Sequence, residues 1–144
     1  IPPLRYGLVH QLKHDFPHLT IAVNGGITTD TQIADQLQLV DGVMLGRDPY
    51  HNPWVMASWD ETFFGAAPNG LTREAVEAQM CDYMVRQAAA WGTSWSSVAR
   101  HMLGLRNGLP GARKWRQVWS DHRLKALNPH EVMALAHGAV QAAA

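Results

Sequence analysis

Two short glycine-containing segments, Asn24-Gly25-Gly26 and Gly46-Arg47, have the composition of anion-binding turns. Each follows directly on a run that reads as a buried strand, Leu19 to Val23 for the first and Gly42 to Leu45 for the second. Ligands of parallel α/β folds gather at such strand ends, and in barrels the last two of them often hold a phosphate. Glycine lacks the Cβ that would keep a backbone N–H away from a phosphate oxygen. A following helix N-terminus adds a favourable dipole, and Arg47 can supply a charge-assisted pair of hydrogen bonds. Either turn alone reads more readily as a plain tight turn than as a binding site. Their matched positions after consecutive strands, with an arginine in the second, favour a phosphate site at a barrel mouth.

A second stretch carries charge. From Arg100 to Lys125 the chain holds Arg100, Arg106, Arg113, Lys114, Arg116, Arg123 and Lys125, with Asp121 the one acid among them. Arg113 and Arg116 are three apart and project from one helix face, away from Trp115, Val118 and Trp119. Guanidiniums clustered on a rigid face suit RNA phosphates and can stack on exposed bases. A solvated helix face is the alternative. The twelve basic and twelve acidic residues of the whole chain balance, so partners are indicated by where charge sits and not by its sum.

Other reactive residue types carry less. Cys81 lies mid-helix beside an apolar stripe, whereas a reactive thiol needs a positive, partly exposed setting; it reads as a packed thiol. His10 and His14 are four apart, but no third metal ligand stands with them. His101, beside Arg100, either reaches RNA or packs. The six tryptophans fall mostly at core-facing positions, and Asp41 reads as a strand start.

The elements that must position these residues are legible from periodicity. Leu8, Val9, Leu12 and Phe16 mark a helix stopped by Pro17; Thr29 caps another, with Gln32 at the capping-box position. Helix, strand, helix and strand with short connections is the grammar of a parallel α/β sheet. After Pro49 no strand signal remains. Gly65 to Gly70 reads as a linker, and Thr72 opens a long helix with an expected stripe of Val76, Met80, Tyr83, Met84 and Trp91, ending at Gly92. Trp95, Val98, Met102 and Leu103 mark a third piece, and Trp115, Val118 and Trp119 another. Asn128, Pro129 and Glu131 open the last helix, so the second half reads as a bundle of about four helices. With one cysteine among 144 residues no intrachain disulfide forms, a cytoplasmic location is expected, and no apolar run is long enough to suggest a membrane span.

The stretches IPPLRYGLVHQLKHDFPHLTIAVNGGI, DGVMLGRDPYHNP, RHMLGL and GLPGARKWRQVWS, in that order, make the sequence similar to the tRNA-dihydrouridine synthases, most closely the A-type enzymes, over essentially its full length. The resemblance implies the C-terminal βα units of an FMN-binding (β/α)8 TIM barrel followed by a helical bundle domain that binds tRNA. Expected boundaries are 1–64 for the barrel part, 65–71 for a linker and 72–144 for the helical domain. It implies reduction of D-loop uridines, with 20 and 20a the expected positions, using FMN and NADPH. Asn24, Gly25 and Gly26 match one FMN phosphate turn, and Gly46 with Arg47 matches the other. Arg113 and Arg116 match paired arginines of a tRNA-binding signature, with Arg100 and His101 as further tRNA-binding candidates. Gly7 is a small departure that weakens its helix.

The family's catalytic cysteine lies upstream of anything present here, and Cys81 does not match it. The missing initiator Met and the presence of only two strands suggest a fragment that is inactive alone. Two strands cannot close a barrel, so the remainder of the barrel or self-association is expected to cover the open sheet, with a dimer burying Val23 or Val43 as one form. An FMN-barrel oxidoreductase acting on a small molecule and a non-enzymatic RNA-binding helical module are the alternatives.

Overall fold

The computed structural model describes residues 3–142. Ile1 and Pro2, which open the IPPLRYG match, and Ala143 and Ala144 of the Ala-rich tail lie outside the described residues. The chain divides into two compact units, Ile1–Pro49 and Tyr50–Ala144.

The first unit runs α1 (Tyr6–Asp15), β1 (Ala22–Asn24), α2 (Asp30–Leu37), β2 (Gly42–Met44). The strands pair in parallel with Val23 opposite Val43. Both are shorter than the sequence suggests: β1 starts later, where side chains hold the backbone ahead of it, and β2 ends one residue earlier. Lys13 Nζ donates to the Pro17 and Leu19 carbonyls, and the Asp41 carboxylate accepts from Ile21 N–H and from Lys13 Nζ, both at 2.8 Å. Asp41 is therefore a clamp across the strand starts, not merely a strand opener. The Lys13 ammonium, followed by the Ile21 N–H, holds its carboxyl below the usual range. Thr29 caps α2 through the expected capping box, and Val23, Ile27, Ile33 and Val40 form the unit's core.

Two expectations change here. Val23 is already 1% exposed, since it points to the helix-covered side of the sheet, so no dimer is needed to bury it. Bare apolar surface lies on α1, where Leu8, Leu12 and Phe16 are 59%, 46% and 46% exposed, and at Met44 of β2.

A short helix, α3 (Arg47–His51), spans the division between units. A 3-10 segment (Pro53–Ser58) and α4 (Trp59–Phe64) follow, then α5 (Arg73–Trp91), α6 (Trp95–Ala99), α7 (Ala112–Trp119), a 3-10 turn (His122–Leu124) and α8 (Pro129–Gln141). Residues 50–64, expected with the barrel part, fall by compactness in the helical unit. The reason is visible at Gly104: a Cβ there would stand 2.1 Å from the His51 carbonyl oxygen, so the two backbones touch.

The helical core gathers Cys81 and Met84 of α5, Trp95 and Ala99 of α6, Met102, Leu105, Trp115 and Trp119, and Val132 and Ala136 of α8. Thr72 and Asn128 cap α5 and α8 as expected, and Gly92 ends α5 in the left-handed region. The buried row of α5, however, is Glu77, Cys81 and Met84. Tyr83 is exposed and Trp91 is 79% exposed, so the expected stripe was rotated around the helix. An acid at the position that leads the true row conceals its 77, 81, 84 spacing.

Candidate functional site

In the first unit both glycine turns line one cavity of about 240 Å³, together with Thr28, Met44 and Asp48. Asn24, Gly25, Gly26, Gly46 and Arg47 are all among its lining residues. The parallel register explains the meeting: Asn24 is paired with Met44, so the chain leaves both strands at the same level. Gly25 and Gly26 sit at φ 123° and 66°, a conformation side chains rarely adopt, which turns the backbone toward the cavity. Leu4 and Tyr6 brace this turn from behind. Tyr6 Oη donates to the Gly25 carbonyl, and a Cβ on Gly26 would approach Leu4 Cδ1 to 2.8 Å. Gln32 Oε1 takes the N–H groups of Thr28 and Thr29, so these two backbone donors are already engaged within the turn that leads into α2. Asp48 is the opposing charge in the cavity.

In the helical unit Ala112, Trp115 and Trp119 face inward from α7, which leaves Arg113 and Lys114 exposed and Arg116 half-buried. Arg113 and Arg116 have no ion pair among the described residues. Two other members of the basic run are neutralised, contrary to the reading of an undiluted positive segment. Arg106 reaches Glu74 at 3.0 Å and Glu77 at 3.6 Å, acids contributed by α5, and Arg123 pairs with Asp121 at 2.7 Å. Arg100 Nε donates to His101 Nε2 at 3.0 Å, and His101 Nδ1 is 2.8 Å from Tyr50 Oη. Arg100, His101 and Arg116 line a second cavity, of about 310 Å³, with Tyr50, His51 and Asn107.

The profile of the family described as dihydrouridine synthase (Dus) matches residues 1–139. The chain belongs to the dihydrouridine synthase family. It is 49% identical over 129 residues, 90% of the chain, to the tRNA-dihydrouridine(20/20a) synthase of Pseudomonas syringae pv. tomato. Identity to the protein of the same description from Escherichia coli K12 is 45% over 126 residues, 88% of the chain. For that of Shewanella oneidensis it is 43% over 141 residues, 98% of the chain. The chain spans 38%, 36% and 42% of these three relatives.

This dihydrouridine synthase family chain uses its one cysteine for packing. Cys81 is fully buried, its Sγ lies 3.6 Å from the Pro129 carbonyl, and burial, reinforced by Glu77 and Asp82, pushes its thiol up to about 12. His10 bonds Gln36 at 2.8 Å, tying α1 to α2. Among the polar residues of the two sites, Thr28, Asp48, Tyr50, His51 and Asn107 escaped the sequence reading. Tyr50 stands beside the GR turn in sequence, but nothing local announces its bond to a histidine fifty-one positions away. Glu77 was also missed, and the signal available was a lone acid in phase with Cys81 and Met84.

Proposed function

We propose that this chain is the C-terminal part of a tRNA-dihydrouridine synthase that reduces uridines 20 and 20a of tRNA to 5,6-dihydrouridine, with FMN as redox group and NADPH as reductant. The observation that carries the reading is the 49% identity over 129 residues with a tRNA-dihydrouridine(20/20a) synthase. On this reading residues 1–64 supply the last βα units of a (β/α)8 barrel, 65–71 a linker and 72–144 a tRNA-binding domain. The parallel pairing of β1 with β2 across α2 supports the barrel part. The bare Leu8, Leu12 and Phe16 of α1 support its packing against the remainder of the barrel, with self-association as the other possible cover.

The first cavity fits the phosphate end of FMN. At about 240 Å³ it is smaller than the roughly 300–1,000 Å³ of pockets that enclose a whole drug-sized ligand. When bound, FMN supplies the hydride chemistry. The backbone of Gly25, Gly26 and Gly46 and the guanidinium of Arg47 would hold its phosphate, while Asn24 adds a neutral amide. Arg100, Arg113 and Arg116 would hold the RNA backbone, with His101 bonded beside Arg100, and so orient the target uridine. The proton for the reduced uracil ring comes from elsewhere in the enzyme, because burial holds Cys81 inert.

The test is to purify the full-length protein that contains this chain and supply unmodified tRNA and NADPH. Bound flavin and conversion of uridines 20 and 20a, read by mass spectrometry, are expected. A colourless protein, or a flavoprotein that leaves tRNA unchanged while reducing a small molecule, would refute the assignment. Arg113→Ala with Arg116→Ala should weaken tRNA binding and reduce its salt dependence.

A further inference from the structure

The second cavity is lined by a hydrogen-bonded chain with a fixed direction. An arginine Nε can only donate, so the Arg100 bond makes His101 Nε2 an acceptor. The proton of the neutral imidazole then resides on Nδ1, and Nδ1–H donates to Tyr50 Oη at 2.8 Å. With its oxygen engaged as an acceptor, the Tyr50 hydroxyl hydrogen is left to donate outward. Tyr50 is 54% exposed, so that donor is accessible.

The cavity's charge is equally directed. Arg100 and Arg116 both line it, no carboxylate does, and neither arginine has an ion pair among the described residues. Elsewhere in the basic run Arg106 and Arg123 are neutralised by acids. The arginines at this cavity are thus among those left to an outside anion. The site is built by tertiary contact: the close approach of Gly104 to the His51 carbonyl holds the segment carrying Arg100 and His101 against the one carrying Tyr50. Tyr50 and His101 also meet edge-on, with ring centroids 5.9 Å apart.

We propose that Tyr50, Arg100 and Arg116 form a subsite for one RNA phosphodiester, with His101 as the positioning residue that makes Tyr50 a donor. The proposal rests on the tRNA reading above and deepens it by assigning a phosphate contact to a defined cavity. Two guanidiniums and a phenol present charged and neutral donors to a single anion, and Asn107 adds an amide at the rim.

The experiment measures equilibrium binding of an unmodified tRNA transcript to the full-length protein across a potassium chloride series. Tyr50→Phe should weaken binding by about 10- to 100-fold, as loss of one hydrogen bond to a charged group does, with an unchanged salt slope. Arg100→Gln and Arg116→Gln should each weaken binding and lower the slope by about one. His101→Ala should match Tyr50→Phe and add little to it, while His101→Asn, whose amide can donate from near the Nδ1 position, should restore binding. A purely structural role for His101 would not give that rescue. Full-strength binding by Tyr50→Phe, or unchanged slopes in both arginine variants while Arg113→Ala still weakens binding, would overturn the subsite and leave the tRNA reading standing. Absence of tRNA binding by the unmutated protein would remove both. Displacement of tRNA by micromolar inorganic phosphate at fixed ionic strength would mark a free-anion site and overturn the assignment to RNA.

Discussion

The Glu77 carboxylate and the Trp115 indole meet at 2.7 Å inside the helical unit, where neither side chain reaches solvent. The same oxygen accepts from Trp119 Nε1 at 2.9 Å, and the other oxygen meets His137 Nε2 at 2.8 Å. One carboxylate thereby ties α5 to both α7 and α8. Because Trp115 and Trp119 are held inward, Arg113 is held outward on the same helix.

Removing that carboxylate leaves two indole N–H groups and the His137 ring nitrogen without their partner, and leaves Arg106 with Glu74 alone. Glu77→Ala is expected to cost about 3–5 kcal/mol, the usual loss when one member of a buried pair is deleted. Glu77→Gln, which keeps an acceptor oxygen for the indoles, should cost less. Urea unfolding followed by tryptophan fluorescence measures both, and an Ala variant with an unshifted midpoint would contradict this role.

Gly104→Ala places a methyl 2.1 Å from the His51 carbonyl oxygen and 3.0 Å from Pro53 Cδ. The contact is with backbone and cannot be relieved by a rotamer change. Destabilisation of about 1–3 kcal/mol or more is expected, seen as a lower thermal midpoint. A neutral result would show that the two segments do not touch.

Gly26→Ala meets a softer obstacle, since Leu4 Cδ1 is the far end of an exposed, movable side chain. The φ of 66° is what costs, about 1–2 kcal/mol for a residue with a Cβ. In the full-length protein the same substitution should lower flavin retention on gel filtration. Retention equal to that of the unmutated protein would argue against a role for this turn in holding the cofactor.

The Cys81 thiol, pushed up to about 12 by burial, is almost wholly protonated at pH 8. Thiolate there is on the order of one part in ten thousand, and only the thiolate reacts. Alkylation of the native protein should be very slow and should become fast at the unfolding transition. Rapid labelling under native conditions would show the thiol to be accessible.

Asp121 titrates at about 2 because the Arg123 guanidinium, then the Arg123 N–H, bonds its charged form. A carboxyl lowered in the folded state contributes its stabilisation fully above its ordinary value near 3.8 and loses it as pH falls toward 2. Carboxyl resonances followed by NMR should show the low midpoint, and Arg123→Gln should move it back up toward 3.8.

Much of this was written locally. Thr29 with Gln32, Thr72, and Asn128 with Glu131 announced three helix starts because capping is a matter of neighbours three residues apart. The glycine turns could be found for the same reason: a positive φ demands glycine wherever the chain turns that way. The inward tryptophans of α7 followed from spacing alone.

What the sequence determined by itself was therefore the two strands and the longer helices, the caps of three of them, the two glycine turns and the family likeness. The tertiary structure decided which of these meet. Only the parallel register brings Asn24 and Gly46 to one cavity, and only folding sets Tyr50 against His101. The burial of Glu77 belongs there too: an acid in a helix reads as solvent-facing until the donors that satisfy it arrive from distant segments, and no local pattern records that arrival.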